Sequence, residues 1–503
     1  MRLRKNIVAN LVGRVWAMGL GFVFIPLYVN LLGIEAYGLV GVFATIQVLA
    51  GLLDLGLGTT IGRELAHRSH THSGRLEQRD LVRTLEVIYL TLSLIVAIAI
   101  VLSANAIVDH WLHIGQLPRA SVVLSIRLMG VAAAVQFAGS FYQGGLMGLE
   151  RQALANIITI IMGTVRSGGA ILVLLVLHGG IVAFFVWQLI AGVIQTAVSA
   201  IALWRSLPAG HTPAFRVSLL HAVWRFSLWV SASALIGACV TQADKIVLTR
   251  LLPLEQYGYY TLAGAAAGML WAFILPVNQA LYPRLARLHA VGDESALEAV
   301  YHRSCQAIAV IMLPAAIIVA LFSYELIFVW TGSHSTAENT HVLVTLLVAG
   351  TAVNGILSMP ALLQSAAGWP GLMAVMNAVI AVFIVPTIYA LVSHFGAAGA
   401  ATTWLLVNVV SLVVTVPIMH RRLLRGQLRK WALSDVVYPL VGTLALGVLA
   451  RYLLPPFESR LLLVTIIGSI YLVLVIVCGL STTHFRELAR EFAEIGRQAA
   501  VTP

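Results

Sequence analysis

The chain has 503 residues, 60% of them hydrophobic and only 10% charged, and its mean hydropathy is +0.93. A soluble domain carries about 25% charged residues, so this chain cannot build a water-facing surface of its size and belongs in a bilayer. Its net charge of +11 is spread over seven segments rather than one compact face, which speaks against nucleic-acid binding and for a signal of topology and anionic-lipid contact.

A span needs roughly 20 apolar residues. On that basis fourteen are predicted, at about 9–32, 38–62, 84–107, 121–145, 153–177, 181–204, 224–252, 258–282, 304–331, 342–365, 370–394, 397–420, 432–453 and 461–480. The first run is too long for a signal-peptide core and no small-residue cleavage site follows it, so it is expected to be retained. Of the 31 Lys and Arg, 23 fall in the segments that face the cytoplasm if the N-terminus does, against four in the opposite loops: Arg119, Arg250, Arg451 and Arg460. By the positive-inside rule both termini are then cytoplasmic.

In chain order, Arg2, Arg4 and Lys5 form a basic anchor before the first span, which contains Arg14 and Pro26. The second carries Asp54 within GLLDLGLGTTIG. Its glycines superficially suggest a phosphate loop, but no Gly-Lys-Ser/Thr follows; close helix packing, or a helix broken beside a cavity, fits better. The polar loop Arg63–Arg83 holds His67, His70 and His72, and no carboxylate or cysteine stands at ligand spacing to make them a metal site. The fourth span carries Arg127, Gln136 and Gln143, and the fifth carries Arg166 amid small residues in GTVRSGG. After Trp204-Arg205 comes the longest stretch without a clear span, in which Phe215–Phe226 is expected to be an interfacial helix. The seventh span ends in QADKIVLTRLL, with Asp244 and Lys245, and the eighth carries Pro276, Asn278 and Gln279. Pro314, Pro360, Pro386 and Pro417 interrupt later spans, and a tail over Thr483–Ala500 has the pattern of an amphipathic surface helix. Cys239, Cys305 and Cys478 fit neither a disulfide framework nor a zinc site.

The chain repeats itself. Leu31–Gly38 is LLGIEAYG and Leu251–Gly258 is LLPLEQYG, five of eight positions alike at an offset of 220 residues. Six spans separate the copies, so the halves share one orientation, as parallel repeats. The expected organisation is an all-α polytopic membrane protein of about fourteen transmembrane helices. Two parallel six-helix lobes span 1–204 and 224–420, joined by a linker over 205–223 and followed by a helix pair over 421–480 and a tail over 481–503.

There is no Walker A, nucleophile elbow or HExxH, so no enzyme is indicated. What chemistry remains lies in the charges within the spans. Arg14, Arg127, Arg166 and Lys245 stand against Asp54 and Asp244, with Glu325 as a third candidate acid. A charge at mid-bilayer costs at least about 2.5–3.5 kcal/mol, so such residues face a cavity or a partner. Arg14 and Asp54 are at similar depth and are expected to pair; Asp244 and Lys245 are adjacent and point about 100° apart on a helix. A vestibule lined by Arg and Lys would attract an anion, and Arg suits a phosphate through its planar fork. Arg14, Arg127, Arg166, Lys245, Asn278 and Gln279 are the candidate substrate-binding residues, and Asp54 and Asp244 the candidates for ion coupling or pairing.

LLGIEAYG, then LLDLGLG, then a basic loop near RELAHR, together with ADKIVLTRLLPLEQYGYYTLA and LYPRLARL, resembles the Wzx-type polysaccharide flippases of the multidrug/oligosaccharidyl-lipid/polysaccharide exporter superfamily. The resemblance extends over the whole chain in span count and lobe layout. It implies movement of an undecaprenyl-diphosphate-linked oligosaccharide from the cytoplasmic to the periplasmic leaflet of a bacterial inner membrane, by alternating access around a cationic cavity between two lobes. It also implies surface polysaccharide synthesis, O-antigen or exopolysaccharide, with a polymerase and glycosyltransferases as partners. No cofactor is expected, and H+ or Na+ is the candidate coupling ion. Asp54 in DLGL and Asp244 in ADKI match the pattern directly. Pro253 departs from it, standing where the first copy has Gly33. Three other readings compete. A lipid II flippase of the same superfamily suits the span count equally, a cation-coupled drug antiporter would want acids to dominate the spans, and a scaffold would not need Arg166.

Overall fold

A computed structural model describes all residues except 1, 55–56, 69–71, 209–211, 218–236, 238–239, 455–459, 484 and 487–503, and the side chains of 2–12, 14–15, 57, 59–60, 66, 68, 72–76 and 461. The described residues are helical nearly throughout. Among the described residues, eleven helices are long and apolar enough to cross a bilayer, and twelve if the pair Leu254–Gly268 and Trp271–Val291, bent by 41°, is counted as one span. All twelve coincide with spans predicted from sequence. The first predicted span lies in a helix described from Arg2 to Leu32, and the seventh falls largely outside the described residues. So do the tail helix, Cys239 and His70.

The chain divides into two compact units, Met1–Thr261 and Leu262–Pro503. Unit 1 contains α1 (Arg2–Leu32), α2 (Ile34–Leu52), α3 (Leu57–Arg68), α4 (His72–His110), α5 (Arg119–Gly148), α6 (Gln152–Leu177), α7 (Gly180–Ser206), α8 (240–251) and the start of α9 (Leu254–Gly268). Lipid tails are as apolar as leucine, so helices in a bilayer associate through close packing and polar contacts rather than hydrophobic drive. Glycines do much of this in unit 1. The second predicted span, 38–62, is in fact two helices, and α3 turns after Asp54 to lie along α5. A Cβ on Gly148 would fall 2.5 Å from Gly62 Cα, and one on Gly144 would fall 3.0 Å from Gly58 O. Beneath this contact Tyr89 of α4 is buried between Phe137 and Phe141 of α5, with ring centroids 5.1 and 4.7 Å away.

The two copies of the repeat meet each other. A Cβ on Gly38 would lie 2.5 Å from Leu254 O, and a Cβ on Gly258 would lie 2.2 Å from Ile34 O. Since 34 and 254, and 38 and 258, are equivalent positions, the contact is reciprocal. Tyr37 and Tyr257 are both buried beside it, and the Tyr257 hydroxyl lies 3.2 Å from Thr45 Oγ1. Gly33 opens α2 at φ +83°, a conformation closed to proline. The second copy therefore turns differently: Leu254 N donates to His113 O at 2.9 Å, in a bridge between His113 and Pro253.

The start of the expected interfacial helix over 215–226 is corrected. Residues 212–216 are irregular backbone, because α4 takes their amides: Ala214 N donates to Asp80 Oδ1 and Arg216 N to Thr84 Oγ1, both at 2.9 Å. Arg216 also pairs with the buried Asp80 at 2.8 Å. An extended segment frees amides for these acceptors, whereas a helix would spend them internally.

Unit 2 holds the rest of α9, α10 (Trp271–Val291), α11 (Glu294–Leu321), α12 (Ser323–Thr331), α13 (His334–Ala366), α14 (Gly371–Phe395), α15 (Ala397–Leu423) and the short α16 (Leu428–Lys430). A π-helical segment (Trp431–Val437), α17 (Tyr438–Leu453) and α18 (Arg460–Ser481) complete it. The predicted span 304–331 is divided between α11 and α12, and the candidate acid Glu325 is paired with Arg451 at 2.6 Å.

Candidate functional site: a polar cavity in the first unit

Unit 1 encloses a cavity of about 840 Å³ bounded by α3, α5, α6 and α7, within the size range of small-molecule sites. The α5 wall is a stripe of Gln136, Ser140 and Gln143, at helical spacing on one face. The α7 wall presents Gln195, Thr196 and Ser199, and the α3 wall Gly58, Gly62 and Arg63. Arg166 projects from α6, about 21 Å along that helix from Gln152 at 1.5 Å per residue.

Among the described residues, the Arg166 guanidinium meets no carboxylate. Nη1 donates to Gln136 Oε1 at 3.1 Å and Nη2 donates to Gln195 Oε1. Gln136 Oε1 accepts from Gln47 Nε2 as well, at 2.5 Å. Backbone contacts hold the same turn of α6: Trp187 Nε1 donates to Arg166 O at 3.0 Å, and the Tyr28 hydroxyl to Ser167 O at 3.1 Å. Gly169 makes room for Trp187, whose ring would lie 2.1 Å from a Cβ there. Among the described residues, Arg166 Nε and Gln136 Nε2 are buried donors without a partner. Neutral amides orient the guanidinium and add no charge of their own beside it.

Asp54 lines the same cavity but does another job. Its carboxylate accepts from Gly58 N, with both oxygens 3.1 Å away, and from the Tyr89 hydroxyl. It thereby caps α3 at its positive end. The expected pairing with Arg14 falls on a side chain that lies outside the described residues.

The remaining sequence candidates are placed elsewhere. Arg127 is exposed on α5 and does not line the cavity. Asp244 and Lys245 were expected to diverge; instead the lysine stem folds back, putting Nζ 3.4 Å from Asp244 Oδ1 and 3.0 Å from Thr241 O. Asp244 also accepts from the buried Tyr260 hydroxyl at 2.6 Å. Asn278 and Gln279 belong to unit 2; Gln279 is exposed, and Asn278 Oδ1 is buried without a partner among the described residues. The charges that line this unit 1 cavity are Arg63 and Arg166 against Asp54 and Glu150. Gln195, Thr196 and Ser199 went unread in the sequence, although three polar residues on one side of an apolar helix are a legible signal.

A family model described as polysaccharide biosynthesis protein matches residues 3–289, more than half of the chain and all of this cavity. The chain belongs to the polysaccharide biosynthesis protein family. A Shigella flexneri protein named "Putative O-antigen transporter" is 22% identical over 406 residues, which is 80% of this chain and 94% of that one. Two solved structures show the fold. A lipid II flippase, MurJ, in an inward closed conformation has a TM-score of 0.70 at 12% identity, covering 96% of this chain and 99% of its own. An inward-facing multidrug resistance MATE family transporter of the MOP superfamily has a TM-score of 0.61 at 16% identity, covering 85% and 96%. The polysaccharide biosynthesis family member described here is thus an all-α polytopic membrane protein of the fold that those transporters share.

Proposed function

We propose that the chain is a flippase that moves an undecaprenyl-diphosphate-linked oligosaccharide from the cytoplasmic to the periplasmic leaflet of the inner membrane, by alternating access of two lobes. The observation that carries this is Arg166, held by the neutral amides of Gln136 and Gln195 in a cavity lined by further amides and hydroxyls. A guanidinium fork offers a phosphate more than one donor. The amides and hydroxyls around it offer a sugar the neutral hydrogen bonds it needs. The Shigella flexneri relative supports a surface-polysaccharide substrate, which would place glycosyltransferases before this step and a polymerase after it.

The test is translocation in proteoliposomes. Lipid-linked oligosaccharide loaded in one leaflet becomes accessible to a membrane-impermeant glycosidase on the other side as it is flipped. The wild type should raise the accessible fraction and Arg166→Ala should not. A wild-type rate equal to that of empty liposomes would defeat the proposal. Lipid II supplied in parallel tests the second reading, which the TM-score of 0.70 to a lipid II flippase favours. Faster movement of lipid II would replace the first reading.

A further inference from the structure

Unit 2 contains a buried polar cluster that no part of the cavity uses. His302, on α11, is 5% exposed, and Asp435, in the π-helical segment, is not exposed at all. His302 Nδ1 lies 2.5 Å from Asp435 Oδ2, and the other carboxylate oxygen accepts from Gln306 Nε2 at 2.8 Å. His302 Nε2 lies 3.2 Å from Gln427 Oε1, while Gln427 Nε2 donates to Glu298 Oε2 at 2.8 Å. Gln306 also reaches Thr483, beyond the end of α18, at 3.0 Å.

The hydrogen-bond chain assigns the protons. A carboxylate only accepts, so Glu298 turns the Gln427 amide nitrogen toward itself and the carbonyl oxygen toward His302. Both ring nitrogens of His302 therefore face acceptors. A neutral imidazole has one N–H and satisfies one of them; an imidazolium satisfies both. His420, in the same cluster, is the contrast. Its Nδ1 donates to Val416 O at 2.9 Å, and its Nε2 faces the Tyr301 hydroxyl, itself a donor, at 3.4 Å, the pattern of a neutral ring. Around the pair stand Glu298, Tyr301 and Cys305 on α11 and His420 on α15. Ile356 and Met359 on α13 and Thr483 are uncharged, and Arg429 and Lys430 of α16 are exposed.

We propose that His302 and Asp435 form a buried proton-binding site whose occupancy fastens residues 427–437 to α11. With the proton bound, His302 joins Asp435 and Gln427 at once. Without it, a ring lone pair faces an oxygen, one contact is repelled, and the segment loosens. A π-helical turn, with its widened hydrogen-bond pattern, is a common setting for such a site. The proposal concerns a proton rather than a lipid and stands apart from the flippase reading.

Hydrogen–deuterium exchange on the full-length protein in lipid nanodiscs tests it without any substrate. After correction for the intrinsic pH dependence of exchange, wild-type residues 427–437 should open roughly fivefold more at pH 8.5 than at pH 6, as a local opening equilibrium. His302→Gln should exchange fast at both. Gln427→Leu removes the second acceptor, so a neutral His302 can still donate to Asp435. That variant should stay protected at both pH values, and it keeps the test decisive where His302→Gln fails to fold. Corrected wild-type protection equal at the two pH values, or a Gln427→Leu variant with the wild-type pH response, overturns the site. Opening that follows sodium instead of pH overturns it as well.

Discussion

At the scale of single residues, Arg166 and Asp54 share a cavity but differ in what they lose on substitution. Arg166→Lys keeps the charge but cannot reproduce the two-pronged donation to Gln136 and Gln195. One lost hydrogen bond to a charged group is worth about 1.5–3 kcal/mol, so translocation should fall roughly tenfold or more, at about 1.4 kcal/mol per decade. Arg166→Ala should abolish translocation with the protein at normal level, and Arg166→Glu should be no better, since it sets like charge against a diphosphate. Complementation of a flippase-null strain measures this series; an alanine variant as active as wild type would remove Arg166 from the mechanism. Asp54 is held by the Tyr89 hydroxyl and the Gly58 amide. Losing such a cap costs about 1 kcal/mol. The thermal unfolding midpoints of Asp54→Ala, Tyr89→Phe and the double variant should therefore be non-additive. Simple additivity would mean that the two side chains are not coupled.

At the scale of elements, the reciprocal glycines set how close α2 comes to the first turn of α9. A methyl group at Gly38 or Gly258 would sit 2.5 or 2.2 Å from a backbone carbonyl oxygen, and a carbonyl in a helix cannot step aside as a flexible side chain can. Gly38→Ala and Gly258→Ala should each cost about 1–3 kcal/mol, the usual range for overpacking. Gly264 and Gly268 of the same α9 have nothing among the described residues within 4 Å of an added Cβ. Alanine there should be neutral or stabilising by up to about 1 kcal/mol, from helix propensity. Thermal unfolding of the four variants in one detergent makes the comparison, and equal midpoints across all four would refute the close-packing argument. The repeat was legible in the sequence because five identical residues recur in register. The contact between its copies was not, because periodicity identifies a face of a helix and never the partner of that face.

At the scale of the whole molecule, the distribution of Lys and Arg makes a topological prediction. With 23 of 31 on one side, reporter fusions after Arg205 and after Pro503 should both report the cytoplasm. A periplasmic signal at the C-terminus would mean that a span has been merged or divided. The predicted spans 38–62 and 304–331 are the places to look first, since each is interrupted in the structure.

Membrane residence, the approximate positions of twelve of the fourteen spans, the duplicated hairpin and the presence of Arg166 in an apolar helix followed from the sequence, since each depends on local composition or on spacing along one helix. The partners of the polar groups did not. Gln136 and Gln195 reach Arg166 from two other helices, and Lys245 folds back on Asp244 because a four-carbon stem is free to choose its rotamer. His302 and Asp435 lie 133 residues apart, and the sequence singled out neither. A buried polar group must find a complement wherever the fold brings one within reach, and that choice belongs to the tertiary structure alone.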